Sequence, residues 1–244
     1  MQIYVSNREL QSITQGLVQA VHGKSPPRRV NVDAVARYLR LPVRYERFAE
    51  ADQDKLGFAA DGIHSLSIWV NGERQAVTFP RNTIVLDRFF LQPEEQTRRR
   101  FALAHEIGHI LLWRADPMHQ AARFHSLYDP SRDYSIAELH ERLNLEECQA
   151  NFAGAALLMP RESLADAVKR HLRREQVPIY GDGVFLPSMK PAIQAMAVEL
   201  GVSHTALVIQ LRTYKLVQRR DMEEYIQIVL EEKKDEMCTN TAPV

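Results

Sequence analysis

The amino-acid sequence predicts an α+β fold in which a small, mainly antiparallel sheet packs against two later helices, with a further helical element at the C-terminus. Apolar residues recur at helical spacing before Pro42, and between positions 43 and 86 many of them alternate with polar residues. From Pro93 onward the apolar spacing is helical again. The predicted order is therefore helices, then a sheet, then helices.

The composition is that of an ordinary globular protein. The 244 residues include 31 Lys and Arg against 31 Asp and Glu, so no net charge draws the chain toward nucleic acid or an anionic membrane. The two cysteines, Cys148 and Cys238, lie far apart, which argues against a disulfide framework and a thiolate zinc site. The N-terminus lacks a signal-peptide pattern, and no apolar run approaches about 18 residues. We therefore expect a cytoplasmic protein without a membrane segment.

Two helices are predicted before the sheet. Ser6 and Glu9 form a capping-box pattern, and the apolar spacing that follows continues to Gly23. A second, shorter apolar stripe runs from Val32 to Leu39, and Pro42 ends it. The sequence thus predicts one long and one short helix in this part of the chain.

The sheet is predicted from alternating and β-branched segments. Val43–Phe48 alternates, and Leu66–Val70 is rich in strand-forming residues. Asn71-Gly72 is a strong hairpin signal that joins this strand to Ala76–Phe79. Thr83–Leu86 adds a further strand. These segments predict a small sheet directly before the next helix.

The second half of the chain is predicted to be helical. Pro93 begins a helix that extends to about Trp113. Arg114–Ser135 is predicted to be a surface loop over the site. Ile136–Met159 is predicted to be a long helix that ends before Pro160. Two short helices flank Gly201, and a charged amphipathic tail follows. We divide the chain into an N-terminal helical segment, a core, a helix-turn-helix-like subdomain and a charged helical tail, at residues 1–31, 32–162, 163–220 and 221–244.

The predicted helix after Pro93 contains the sequence His105-Glu106-Ile107-Gly108-His109. Residues four apart share a helix face, so both imidazoles can reach one metal ion. Glu106 then lies beside the ion, where a carboxylate can take a proton from water and deliver it to a departing amine. The alternative is that these residues occupy an exposed helix face by chance.

A third ligand is predicted on the following helix. Glu146 or Glu147 can complete a site of two histidines and one carboxylate, which leaves the fourth position for water. Glu147 is favoured because Asn151 lies one turn further on, where its amide oxygen can accept a hydrogen bond from a ligand histidine. The alternative for Glu147 is a solvated carboxylate on the helix surface.

Two stretches resemble the ImmA/IrrE family of metallopeptidases. The first is the run from Arg100 to His109, which resembles the family pattern RFxLAHExGH. The second runs from Glu147 to Pro160 and resembles its ExxAN segment ending in LLMP. A later counterpart of the family's VSxxAxxxRL element begins at Val202. Gln149 and Gln210 stand where the family commonly has an acid and an arginine.

The resemblance implies a gluzincin-like site with one zinc ion per chain. It implies that His105, His109 and Glu147 are the ligands and that Glu106 is the general base. It also implies a protein substrate, because members of the family act as anti-repressors that cleave a helix-turn-helix transcriptional repressor. The expected activity is therefore that of a zinc endopeptidase with a role in transcription regulation.

Two further interpretations compete with this one. The residues around Gly201 have the proportions of a DNA-binding helix-turn-helix, although few basic side chains are available for phosphates. A zinc site that only stabilises the fold, or binds a repressor without cutting it, is also conceivable, but it has no need of Glu106. The polar side chains offered by the second helix of the pair are His204, Thr205, Gln210, Arg212 and Lys215.

Overall fold

A computed structural model describes residues 5–49, 55–115, 123–126 and 145–239 of the chain. The predicted α+β architecture is confirmed in these ranges. The helices are α1 (Asn7–His22), α2 (Val32–Tyr38), α3 (Gln96–Ala115), α4 (Leu145–Leu158), α5 (Arg161–Leu172), α6 (Lys190–Leu200), α7 (His204–Thr213) and α8 (Met222–Thr239). The strands are β1 (Val43–Glu46), β2 (Lys55–Ala59), β3 (Ser65–Val70), β4 (Glu73–Thr78), β5 (Ile84–Asp87), β6 (Arg123–Ser126), β7 (Val177–Tyr180) and β8 (Val217–Arg220).

The first helix begins where the capping box predicts. The backbone N–H of Glu9 donates to the Ser6 hydroxyl at 3.3 Å, and the backbone N–H of Ser6 donates to the Glu9 carboxylate at 2.8 Å. Gly23 ends the helix with a φ of 86°, a conformation that costs glycine least. Both caps are local, so the sequence alone determines the limits of α1.

The strands form separate sheets rather than one. Four of them lie in the order β1-β5-β2-β6, with β1 parallel to β5 and the other two pairs antiparallel. The predicted hairpin is confirmed as the two-stranded sheet β3-β4, whose turn residues Asn71 and Gly72 both have positive φ. The sequence did not predict β2 or β6, because neither has a clear alternation of apolar and polar residues.

The segments after β5 differ from prediction in detail. A short 3₁₀ helix at Pro93–Glu95 precedes α3, so the α-helix itself begins three residues later than its predicted start. Of the predicted helix over Ile136–Met159, the structure describes Leu145–Leu158, and the residues before it lie outside the described ranges. The connection after Gln176 contains β7, which pairs in parallel with β8.

The main hydrophobic core packs the four-stranded sheet against helices that precede and follow α4 along the chain. Leu103 and Ile107 on α3 lie in one cluster with Leu157 on α4, Ile193 on α6 and Leu207 on α7. Within the described ranges no single helix is both long and apolar enough to cross a membrane, and only a pair bent by 94° reaches that length and composition. The division into four segments stays a prediction.

A buried arginine ties α3 to the end of α6. Arg100 is 7% exposed, and its guanidinium donates to the backbone carbonyls of Leu200 at 3.3 Å and Gly201 at 3.1 Å. Burial lowers the pKa of Arg100 to about 10, which leaves the side chain charged at neutral pH. These carbonyls end α6, where the helix dipole favours a cation.

We expect Arg100→Leu to lower the free energy of unfolding by about 3 kcal/mol, because two buried carbonyls lose a charged donor. Urea denaturation followed by circular dichroism measures this change. Arg98→Leu is the matched control, since Arg98 forms a partly exposed ion pair with Glu95 that contributes less than about 1 kcal/mol. Equal losses for the two variants would contradict the structural role of Arg100.

Candidate metal centre

The candidate site lies where α3 crosses α4 at unusually close range. A Cβ atom at Gly108 would stand 2.8 Å from the backbone oxygen of Ala150, and one at Gly154 would stand 3.0 Å from the backbone nitrogen of His105. Each glycine therefore lets the opposing backbone approach directly. The α3 face that bears the histidines is held against α4 in this way.

The two histidines of the HExxH sequence point to the same place. His105 and His109 are both fully buried, and their Nε2 atoms are 2.9 Å apart. Their rings meet edge to face, with centroids 4.6 Å apart. One turn of helix separates the residues, so the backbone of α3 alone brings the rings together.

Glu147 on α4 lies opposite both rings. One carboxylate oxygen is 3.3 Å from His105 Nε2, and the other is 3.4 Å from His109 Nε2. Glu147 is only 8% exposed, and one ligand atom from each of the three residues falls within 4.8 Å of the others. The side chain of Glu146, the alternative third ligand, lies outside the described part of the structure.

These distances fit a tetrahedral metal ion. Ligands at 2.0 to 2.1 Å from zinc stand about 3.3 Å from each other in a tetrahedron, close to the separations of the three donor groups. His105 Nδ1 lies 2.9 Å from Asn151 Oδ1, which favours a proton on Nδ1 and a lone pair on Nε2. Two nitrogens and a carboxylate, buried this closely, are a donor set suited to a divalent cation.

Glu106 lies outside this triangle and faces the sheet. It is fully buried, and the position of a Cβ at Gly57 on β2 would be 2.9 Å from its Cδ atom. Burial raises the pKa of Glu106 to about 8, and the charge of Glu147 adds to this effect. His109 and the backbone of Ala59 lower it. The Glu106 carboxyl group therefore holds a proton more tightly than a solvated glutamate does.

A comparison with known protein families shows to which family the chain belongs. The profile of a peptidase family described as the IrrE N-terminal-like domain matches residues 36–212. The chain belongs to this family. The matched region begins within α2, ends one residue before the end of α7, and contains all the residues of the candidate site. The ImmA/IrrE resemblance of the sequence is thus confirmed.

Two curated members of the IrrE-like family resemble the chain. The radiation response metalloprotease IrrE of Deinococcus deserti is 31% identical over 147 residues, which is 60% of this chain and 47% of that protein. The protein of the same name from Deinococcus radiodurans is 32% identical over 99 residues, which is 41% of this chain and 26% of that protein. The chain therefore matches about half or less of these relatives.

The two departures from the IrrE-like pattern lie in packed positions. Gln149 is 7% exposed, and its amide donates to the backbone carbonyl of Val5 ahead of α1. Gln210 is 1% exposed on α7. Both amides are neutral, so burial costs each of them less than it would cost a charged side chain. Gln149 also holds the N-terminal segment against the helix that carries Glu147.

Other candidates from the sequence are placed as follows. The helix pair around Gly201 exists as α6 and α7, but Gln210 is buried and does not reach the surface. His204 and Arg212 on α7 are exposed, as is Lys215, which lies in the turn after α7. Five side chains between His109 and Glu147 could in principle donate a hydrogen bond to an oxyanion, but they lie outside the described residues or, for His125, have an undescribed side chain. These are His119, His125, Tyr128, Tyr134 and His140.

The sequence did not identify the glycines that shape this IrrE-like site. Gly57, Gly108 and Gly154 have no positive φ, so their role lies in close approach rather than in backbone conformation. Only Gly108 has a sequence signal, since it lies between the two histidines. The other two act across elements that are distant in sequence.

The contact between His105 and Asn151 leads to a testable prediction. We expect Asn151→Ala to weaken zinc binding by about 10- to 100-fold, because the His105 ring loses the group that orients it. Competition with a zinc-chelating dye measures the affinity. Asn151→Asp keeps an acceptor at this position and is expected to retain most of the binding. Unchanged affinity in Asn151→Ala would exclude the orienting role.

Proposed function

We propose that the chain is a zinc-dependent endopeptidase. The observation that carries the proposal is the convergence of His105, His109 and Glu147 on one buried point, with Glu106 beside them and not needed as a ligand. A site that only stabilises the fold gains nothing from burying an additional carboxylate. Membership of a peptidase family supports the same conclusion.

The residues have distinct parts in the proposed reaction. His105, His109 and Glu147 hold the ion, which when bound supplies the Lewis acidity for attack by water on a peptide carbonyl. Glu106 accepts a proton from the attacking water and later donates it to the departing amine. Asn151 fixes the ring of His105 through Nδ1, so that Nε2 stays directed at the site.

We propose further that the substrate is a helix-turn-helix transcriptional repressor. The support is the resemblance to the ImmA/IrrE family, together with relatives that are named radiation response metalloproteases. A buried site at a crossing of two helices requires that the scissile peptide enter in an extended, locally unfolded form. The cut is therefore expected in a loop or linker of the repressor.

The deciding experiment uses the zinc-loaded protein and the helix-turn-helix repressor encoded nearest its gene. The two are incubated with Glu106→Gln as the control, and fragments are identified by mass spectrometry. Cleavage by the wild type alone supports both the activity and the substrate class. Tight binding of repressor or duplex DNA by both forms, without fragments, would contradict the peptidase and favour a binding module.

A further inference from the structure

The strand β2 passes directly behind Glu106. The three heavy atoms nearest to a Cβ placed on Gly57 all belong to Glu106, with Cδ at 2.9 Å and Cγ at 3.1 Å. A real Cβ essentially never comes this close to another heavy atom, so any side chain at position 57 would displace the carboxylate. Among the residues that the structure describes, the proposed base is the nearest to fill the space beside Gly57.

The backbone of Gly57 does not itself require glycine. Its φ is not positive, and it pairs with Leu86 of β5 as an ordinary strand residue. On its other side β2 pairs with β6, and there the register shifts between Lys55 and Phe58. Close approach of the Glu106 side chain is thus the reason that the structure gives for glycine at this position.

The metal ligands and Glu106 lie against different neighbours of α3. The backbone of His105 contacts Gly154 of α4, whereas Glu106 contacts Gly57 of β2. Successive helix residues point about 100° apart, which accounts for the division. A change at Gly57 therefore acts on Glu106 and leaves the ligand side of the helix in place.

We propose that Gly57 is a positioning residue for the proposed base, an inference that rests on the peptidase function above. Because Gly57 has no side chain, the Glu106 carboxylate lies directly against β2. The strand thereby sets the distance between the carboxylate and the point on which the ligands converge. Proton transfer depends on this distance, and an error of about 1 Å can cost 100-fold in rate.

The test compares zinc-loaded Gly57→Ala with the wild type. We expect kcat to fall by about 10- to 100-fold, with KM and zinc content unchanged, because only the base is displaced. A crystal structure of the zinc-loaded variant is expected to show the Glu106 carboxylate moved away from β2 and the three ligands in place. Gly16→Ala is the control, since a Cβ there meets nothing within 4 Å.

The same substitution made in a Glu106→Asp variant distinguishes displacement of the carboxylate from general damage to the fold. Glu106→Asp draws the carboxylate back by one methylene, so Gly57→Ala is expected to cause no further loss of kcat in that background. Equal effects of Gly57→Ala in both backgrounds, or an unmoved Glu106 in the crystal, would overturn the inference. An inactive wild type would overturn the peptidase function instead, and the crystal structure would still decide whether Gly57 positions the carboxylate.

Discussion

Glu106→Gln is expected to lower kcat for peptide hydrolysis by about 10³-fold or more, since the amide can neither accept the proton of the attacking water nor return it to the amine. Gln has nearly the same volume as Glu and fits the buried space against β2. Zinc affinity is expected to stay within a few-fold of the wild type, because Glu106 is not among the three converging side chains. Single-turnover cleavage and zinc analysis measure the two quantities.

The control for this variant is Glu162→Gln, which makes the same chemical change at an exposed position in the first turn of α5. Its kcat is expected to equal that of the wild type. Retention of more than about a tenth of the activity by Glu106→Gln would argue against general-base catalysis by this residue. Loss of zinc together with activity would instead make Glu106 part of the ligand set.

Removal of the metal is expected to have the second large effect. A ligand present at 1,000 times its dissociation constant stabilises a protein by about 4 kcal/mol. For a chain of this size that corresponds to a fall in Tm of about 10 °C on treatment with a chelator. Without the ion, two imidazole nitrogens 2.9 Å apart and a carboxylate stay buried, and fewer interactions offset the free-energy cost of removing them from water. Calorimetry with and without a chelator measures the shift.

Variants identify the source of this shift. His109→Ala is expected to have a low Tm that responds neither to chelator nor to added zinc. His64→Ala is the matched control, because the side chain of His64 is 59% exposed and pairs with Asp61. It is expected to respond as the wild type does. A wild-type Tm that is indifferent to chelator would contradict metal binding at this site.

The sequence predicts the parts of the site that depend on local geometry. His105 and His109 converge because they lie one turn apart on a single helix, and Ser6 with Glu9 determines the start of α1 for a similar reason. The pairing of Glu147 with these histidines depends on how α4 packs, and spacing alone left Glu146 open. The resemblance to a family and the position of Asn151 favoured Glu147.

The unpredicted features are those in which one residue acts on another that is far away in sequence. The strand β2 lacks a period-2 pattern because both of its faces are buried: Ala59 belongs to the main hydrophobic core and Phe58 to a separate apolar cluster. The parallel pair β7-β8 joins segments about 40 residues apart, and parallel pairing has no local turn signal. Glycine at positions 57 and 154 has meaning only once its neighbour is known.

The link between Arg100 and the end of α6 has a consequence for how the molecule opens. The hydrogen bonds from its guanidinium hold the helix of the candidate metal centre to the C-terminal helices, and both belong to one hydrophobic core. Backbone amides of α3 and α6 are therefore expected to exchange with deuterium as a single cooperative unit. A fragment cut after residue 162 would lose these hydrogen bonds and this part of the core, so we expect its α3 to exchange faster than in the whole chain.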